Sequence, residues 1–278
     1  MFFKTAILLT VLLAAGTGGL SEEKITILDT TQNGMALQEY CSRVFSGEKS
    51  TVPQELEINI EQFSGGKIDK LPANTVIADD GLGKEIAASG LKRTVFAVQP
   101  VVIAVSKNNP LNELDLPTLK RVFSGRVGNW SRIGGKNRRI ITGGAAGESP
   151  VGRVFRRMVM EQSLTEKDNG DITKSIAPDM ILCRSAASAE ALLQAADNVI
   201  VFAGAAMSDK QSEKYKLLKV DGVYPSRENI LSGKYKLAAR HSVLSDSVNQ
   251  PPALKKLLDF LKRSADASAD ILAVKSSL

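Results

Sequence analysis

Ten Lys and Arg residues fall between Lys120 and Arg157, and Glu148 is the one acid among them. A field of that sign raises the local concentration of anions and steers them to a cleft. A solvated basic face is the plainer reading of the same residues. Hydroxyl, glycine and carboxylate groups gather at four turns: Asp29-Thr30-Thr31, Ser64-Gly65-Gly66, Asp79-Asp80-Gly81 and Gly147-Glu148-Ser149. At each, a strand pattern gives way to a helix pattern. A helix start offers unpaired N–H donors and a positive partial charge, a setting suited to an oxyanion. The same residues also serve as plain helix caps and glycine turns that need no ligand.

Other chemistries find little support. His241 is the only histidine, so a histidine metal cluster is excluded and a serine–histidine triad would have to be built around that one ring. There is no P-loop, no GxGxxG in a suitable context and no CxxC pair. We therefore expect neither an enzyme nor a cofactor. Aromatic interleaving of the basic stretch is absent, which argues against nucleic acid. The two cysteines, Cys41 and Cys183, read as separate buried thiols rather than a disulfide.

The elements that must position these residues can be read in order. Lys4 followed by the apolar run Thr5 to Ala15 and the small residues Gly16 to Gly19 reads as a signal peptide over residues 1–20, so export to the periplasm is expected. No cysteine follows closely enough for a lipid anchor. Ile25 to Leu28, Leu56 to Ile60 and Asn74 to Ala78 read as strands, with helices expected over Met35 to Phe45 and Leu82 to Ala88. Val101 to Val105 is a short, β-branched, buried strand. Asp115 caps a helix from Leu116, with Pro117 in its first turn and Gly125 as its left-handed end. A strand near Ile140-Ile141 and a helix from Pro150 to Glu161 follow, the latter burying Val154, Phe155, Met158 and Val159. Met180 to Cys183 and Val199 to Phe202 read as buried strands flanking a helix over Ala189 to Ala196. Tyr215 to Val220 reads as a strand, and Pro252 to Leu261 as a closing helix.

The order "VVIAVSKNNP", then "LPTLKRVFSGRVGNWSRIGG" between Leu116 and Gly135, resembles the hallmark of the phosphate-binding-protein family, the periplasmic receptors of phosphate ABC transporters. A second stretch, Asp221-Gly222-Val223-Tyr224-Pro225 with Glu228 to Tyr235, resembles the family's "DGV.P…ENI.SGKY" element. The resemblance covers about residues 25 to 264. It implies an α/β, two-lobed periplasmic-binding-protein type II fold with two hinge crossings and a central mixed sheet in each lobe flanked by helices. Residues 22–104 and 206–278 would form lobe I and residues 105–205 lobe II, with crossings near Val105–Ser106 and Ala203–Ala205. It also implies a monomeric receptor that binds phosphate or a similar small oxyanion and delivers it to an ABC permease in the inner membrane.

By the same resemblance the ligand is held by the Thr30 and Thr31 hydroxyls, by Ser64 with the Gly65 backbone, and by Ser149 with the Gly147 backbone. Asp80, or alternatively Asp79, takes the place of the aspartate that accepts a hydrogen bond from a protonated phosphate oxygen. The sequence departs from the pattern in one place. The arginine that relatives place before the "GSGT" turn is absent from Thr142 to Arg153, and Glu148 and Pro150 stand where donors are expected. Losing a bidentate arginine removes two charge-assisted hydrogen bonds of about 1.5–3 kcal/mol each, or about two orders of magnitude or more in affinity. Arg153, one turn into the helix, is the first candidate to replace it. The alternative is a degenerate member of the family with another ligand, or a sensor or surface-interaction role.

Overall fold

The computed structural model describes residues 23–30, 56–63, 68, 70–82, 90–147, 149–161, 176–207, 212–266 and 271–274. The helix expected over Met35 to Phe45, all but Leu82 of that expected over Leu82 to Ala88, the signal segment and Cys41 lie outside them. The chain divides into two compact units: one holds residues up to Val98 with Ala239–Ser268 and Ala273 onward, the other Gln99–Ala238 with Ala269–Leu272. Each has its own sheet.

In the first unit the sheet runs β13-β4-β12-β3-β1-β2. Its strands are β1 (Glu23–Asp29), β2 (Leu56–Gln62), β3 (Thr75–Asp79), β4 (Leu91–Pro100), β12 (Ala238–Asp246) and β13 (Leu272–Ala273). The alternation of β1 buries Ile25, Ile27 and Asp29 on one face. Both β2 and β3 run parallel to β1, so all three strands end at one edge, with Asp29 level with Gln62 and Ala78. β12 returns antiparallel and sets Ser242 opposite Asp79. A helix over Leu254–Asp266 buries Leu254, Leu257, Phe260 and Leu261. It begins two residues later than expected and runs five residues further.

In the second unit the sheet runs β10-β5-β9-β7-β8, beside a two-stranded β11-β6 pair. Here β5 is Val102–Ser106, β6 Glu113–Leu114, β7 Ile141–Gly144, β8 Ile181–Leu182, β9 Val199–Ala203, β10 Tyr215–Leu217 and β11 Lys219–Val220. β5 and β9 are buried throughout, as their unbroken apolar runs require. Helix α1 (Leu116–Phe123) is capped by Asp115, whose carboxylate accepts from the Thr118 N–H at 2.7 Å. The glycines of the "NWSRIGG" turn are both needed. Gly134 has φ 88°, and a Cβ on Gly135 would lie 2.8 Å from that of Trp130. Trp130 is buried and donates from its indole N–H to the Asn198 carbonyl at 3.0 Å, which makes it a packing anchor.

Several expectations are corrected. Residues 206–238, expected with lobe I, cluster with the second unit because β10 pairs antiparallel with β5 and β11 pairs parallel with β6. The divisions accordingly fall after Val98 and after Ala238, not near residues 105 and 204. β8 is an edge strand bonded only to β7, so Ile181 and Leu182 are exposed rather than buried. The helix from Pro150 is α-helical only to Phe155 (α2) and then continues as a π-helix over Arg156–Met160. The wider turn rotates the later residues, leaving Met158 half-buried and burying Met160 instead.

Candidate functional site

The carboxyl ends of the parallel strands in the first unit bring together a polar cluster. Thr30 follows β1 directly. Its N–H and hydroxyl both donate to the Ala78 carbonyl, at 3.1 and 2.9 Å, and the hydroxyl also lies 3.4 Å from an Asp79 carboxylate oxygen. Asp79 closes β3 and is buried. The same oxygen accepts the Gly81 N–H at 3.1 Å, while its other oxygen takes a short contact from the Arg93 guanidinium. The Arg93 nitrogen that makes this contact also donates to the Ser242 hydroxyl at 2.7 Å, and that hydroxyl donates to the Asp79 carbonyl at 3.2 Å. Asp80 follows; one of its carboxylate oxygens accepts the Leu82 N–H at 2.9 Å, and its backbone carbonyl accepts the Arg240 N–H at 3.1 Å.

Of the residues expected from the sequence, Thr30 and Asp80 are therefore brought to one edge of one sheet. Thr31, Ser64 and Gly65 lie outside the described residues. Asp29 is wholly buried at the end of β1, with its backbone carbonyl accepting the Phe63 N–H at 2.8 Å. Arg93 and Ser242 were missed. They sit on β4 and β12, and nothing in their type or spacing marks them. Their meeting with Asp79 depends on the order in which distant strands pair.

Gly147 and Ser149 belong to the second unit, in the loop that leaves β7. That strand ends in two glycines for packing reasons: a Cβ on Gly144 would lie 2.1 Å from the Phe202 ring. Phe202 in turn stacks on Phe155 with ring centroids 4.0 Å apart. The loop then folds back so closely that a Cβ on Gly152 would lie 1.9 Å from the Ala146 carbonyl oxygen. Ser149 is the N-cap of α2. Its hydroxyl accepts the Gly152 N–H at 3.1 Å and donates to the Ala146 carbonyl at 2.6 Å. Its proton is thus engaged within the loop, and it can be offered to an anion only by turning away from Ala146. Glu148 lies outside the described residues, and Arg153 is half-buried on α2. Among the described residues no group of His, Cys, Asp and Glu is assembled that could hold a metal ion. Cys183 is a buried free thiol, which burial pushes up from its usual pKa.

Residues 59–264 match the PBP superfamily domain. The chain belongs to that family. Within it, the chain is 24% identical over 209 residues to the phosphate-binding protein PstS of Bacillus subtilis, covering 73% of this chain and 62% of the relative. It is 20% identical over 189 residues to the PstS of Borreliella burgdorferi, covering 68% of this chain and 66% of that one. The matches thus span somewhat less than two thirds of these relatives' own length. Among solved structures, the crystal structure of PstS from Borrelia burgdorferi superposes with a TM-score of 0.62 at 15% identity, over 92% of this chain and 100% of that one. An ABC-type phosphate transport receptor from Vibrio cholerae gives a TM-score of 0.59 at 16% identity, over 86% and 93%. The fold is the mixed α/β fold of these PBP-family proteins, with two sheets flanked by helices, as the motifs implied.

Proposed function

We propose that this PBP-family chain is an exported solute receptor, not an enzyme, that binds a small oxyanion and delivers it to an ABC permease in the inner membrane. Phosphate is the ligand that the names of its relatives favour. The observation that carries the reading is the cluster at the carboxyl ends of β1 and β3, where Asp79 meets Thr30 and Arg93 and Asp80 follows directly. Ligands of open α/β sheets bind outside the carboxyl ends of the strands. A carboxylate acceptor, a guanidinium and a hydroxyl that becomes a donor on turning from the Ala78 carbonyl are the groups that a partly protonated oxyanion requires, because a carboxylate beside a fully ionised dianion would repel it.

In this reading the ligand-binding residues are Thr30, Thr31, Ser64, Gly65 and Asp80 of the first unit and Gly147 and Ser149 of the second, residues 1–20 are the export signal and the receptor acts as a monomer in the periplasm. The basic stretch from Lys120 to Arg157 serves anion capture rather than nucleic acid. Calorimetric titration of the mature protein with phosphate and with sulfate tests the proposal. Phosphate-selective binding is expected. A folded protein that gives no heat with either anion would instead favour a degenerate member acting as a sensor or at a surface.

A further inference from the structure

The loop from Thr142 to Arg153 lacks the expected arginine, and the first unit contains one that the motifs do not mark. Arg93 reaches across β12 from β4 to the end of β3, where one of its terminal nitrogens meets both the Asp79 carboxylate and the Ser242 hydroxyl. Its side chain remains 43% exposed, whereas that of Asp79 is 6% exposed. A guanidinium carries five N–H donors in a rigid fork. Among the described residues, only the one terminal nitrogen has partners, and the other terminal nitrogen and the ε-nitrogen have none. Asp79, by contrast, is engaged on both oxygens: one takes the Gly81 N–H, with the Thr30 hydroxyl 3.4 Å away, and the other takes Arg93. Asp80 makes one side-chain bond, to the Leu82 N–H, and its second oxygen meets no donor among the described residues.

We propose that Arg93 is an anion-contacting residue at the carboxyl edge of the first unit's sheet. The inference rests on the oxyanion reading and deepens it. Asp79 and Ser242 act as positioning residues: they hold one edge of the guanidinium and leave the other for two oxygens of the ligand. Fixing the fork in advance removes the entropy that a long flexible side chain otherwise loses on binding. The division of labour between the two aspartates follows. Asp79 anchors the arginine, and Asp80 is the carboxylate with an oxygen available to a protonated ligand.

The test is calorimetric titration of the mature protein with inorganic phosphate, alongside thermal unfolding of each variant. Arg93→Lys keeps a cation opposite Asp79 and keeps the fold, but an ammonium cannot offer two parallel donors to the ligand. It is expected to weaken phosphate binding at least tenfold. The double variant Arg93→Gln with Asp79→Asn removes both charges together, so no buried charge is left unpaired, and it is expected to lose affinity by a larger factor. Either variant, folded and binding phosphate as tightly as the unmodified protein, would show that the pair is structural only and overturn the proposal. Absence of phosphate binding by the unmodified protein would sink the oxyanion reading itself, a distinct result.

Discussion

Two polar side chains show how a residue's type can be legible while its task is not. Ser149 was expected to donate to a ligand, and its hydroxyl is engaged as the N-cap of α2, with Gly152 and Ala146 as partners. Ser149→Ala should cost about 1 kcal/mol of stability in chemical denaturation. It should weaken phosphate binding only if the hydroxyl turns toward the ligand, so an unchanged titration would remove Ser149 from the shell. Tyr235, from the "SGKY" motif, is wholly structural. Its buried hydroxyl donates to the Val101 carbonyl at 2.8 Å, and burial, with a smaller effect from the Asp221 charge, pushes its pKa well above the usual value. The folded protein therefore keeps a proton that the unfolded chain releases above about pH 10, so this contribution is full below that pH and declines as the pH rises further. Tyr235→Phe should lose about 0.5–1.5 kcal/mol at neutral pH. It should also show a shallower loss of stability between about pH 10 and 11.5. An identical alkaline profile would contradict the assignment.

At the scale of elements, what was legible is what local sequence dictates. Asp115, Gly125, Gly134 and the "DGV" turn each fix their own backbone: Asp221 and Gly222 take φ of 48° and 79°, the two positive values that a tight two-residue turn needs. These residues carried the family resemblance because they carry the fold. The strands β1, β3, β5 and β9 were likewise readable from short apolar runs, and β2 from its alternation. β4 and β12 were not, since one shows no alternation over its buried half and the other mixes charge with apolar residues. Arg93 and Ser242 were lost with them. The π-turn was invisible for a similar reason, because an α-period places Met158 rather than Met160 inward. Gly152 gives a test at this scale. A Cβ there meets backbone, not a flexible side chain, so Gly152→Ala must displace the loop from Ala145 to Ser149. We expect a loss of about 1–3 kcal/mol by chemical denaturation, together with weaker phosphate binding. A variant as stable as the parent would show that the loop moves at no cost.

At the scale of the whole chain, the formal net charge of +6 is unevenly distributed. Arg121, Arg126, Arg132, Lys136, Arg138 and Arg139 are all exposed. Of these, Arg139 pairs with Asp179 at 3.0 Å, an exposed pair that contributes little to stability. The backbone ties this surface together: Val127 N–H bonds to the Arg121 carbonyl, Trp130 N–H to that of Arg138, and Asn129 bridges Arg139. The cations thus share one folded turn region rather than a loose tail. Exposed charges act on a small anion over about 8–10 Å at physiological salt and about 3 Å at 1 M. Their effect should therefore lie in capture, not in retention. Replacing Arg126, Arg132, Lys136 and Arg138 together by Gln should lower the phosphate association rate several-fold at low salt, within the range known for electrostatic steering, and leave the dissociation rate unchanged. The difference should vanish near 1 M salt. Stopped-flow measurement across a salt series checks this, and equal association rates at low salt would mean that the basic surface is solvated and does not steer the ligand.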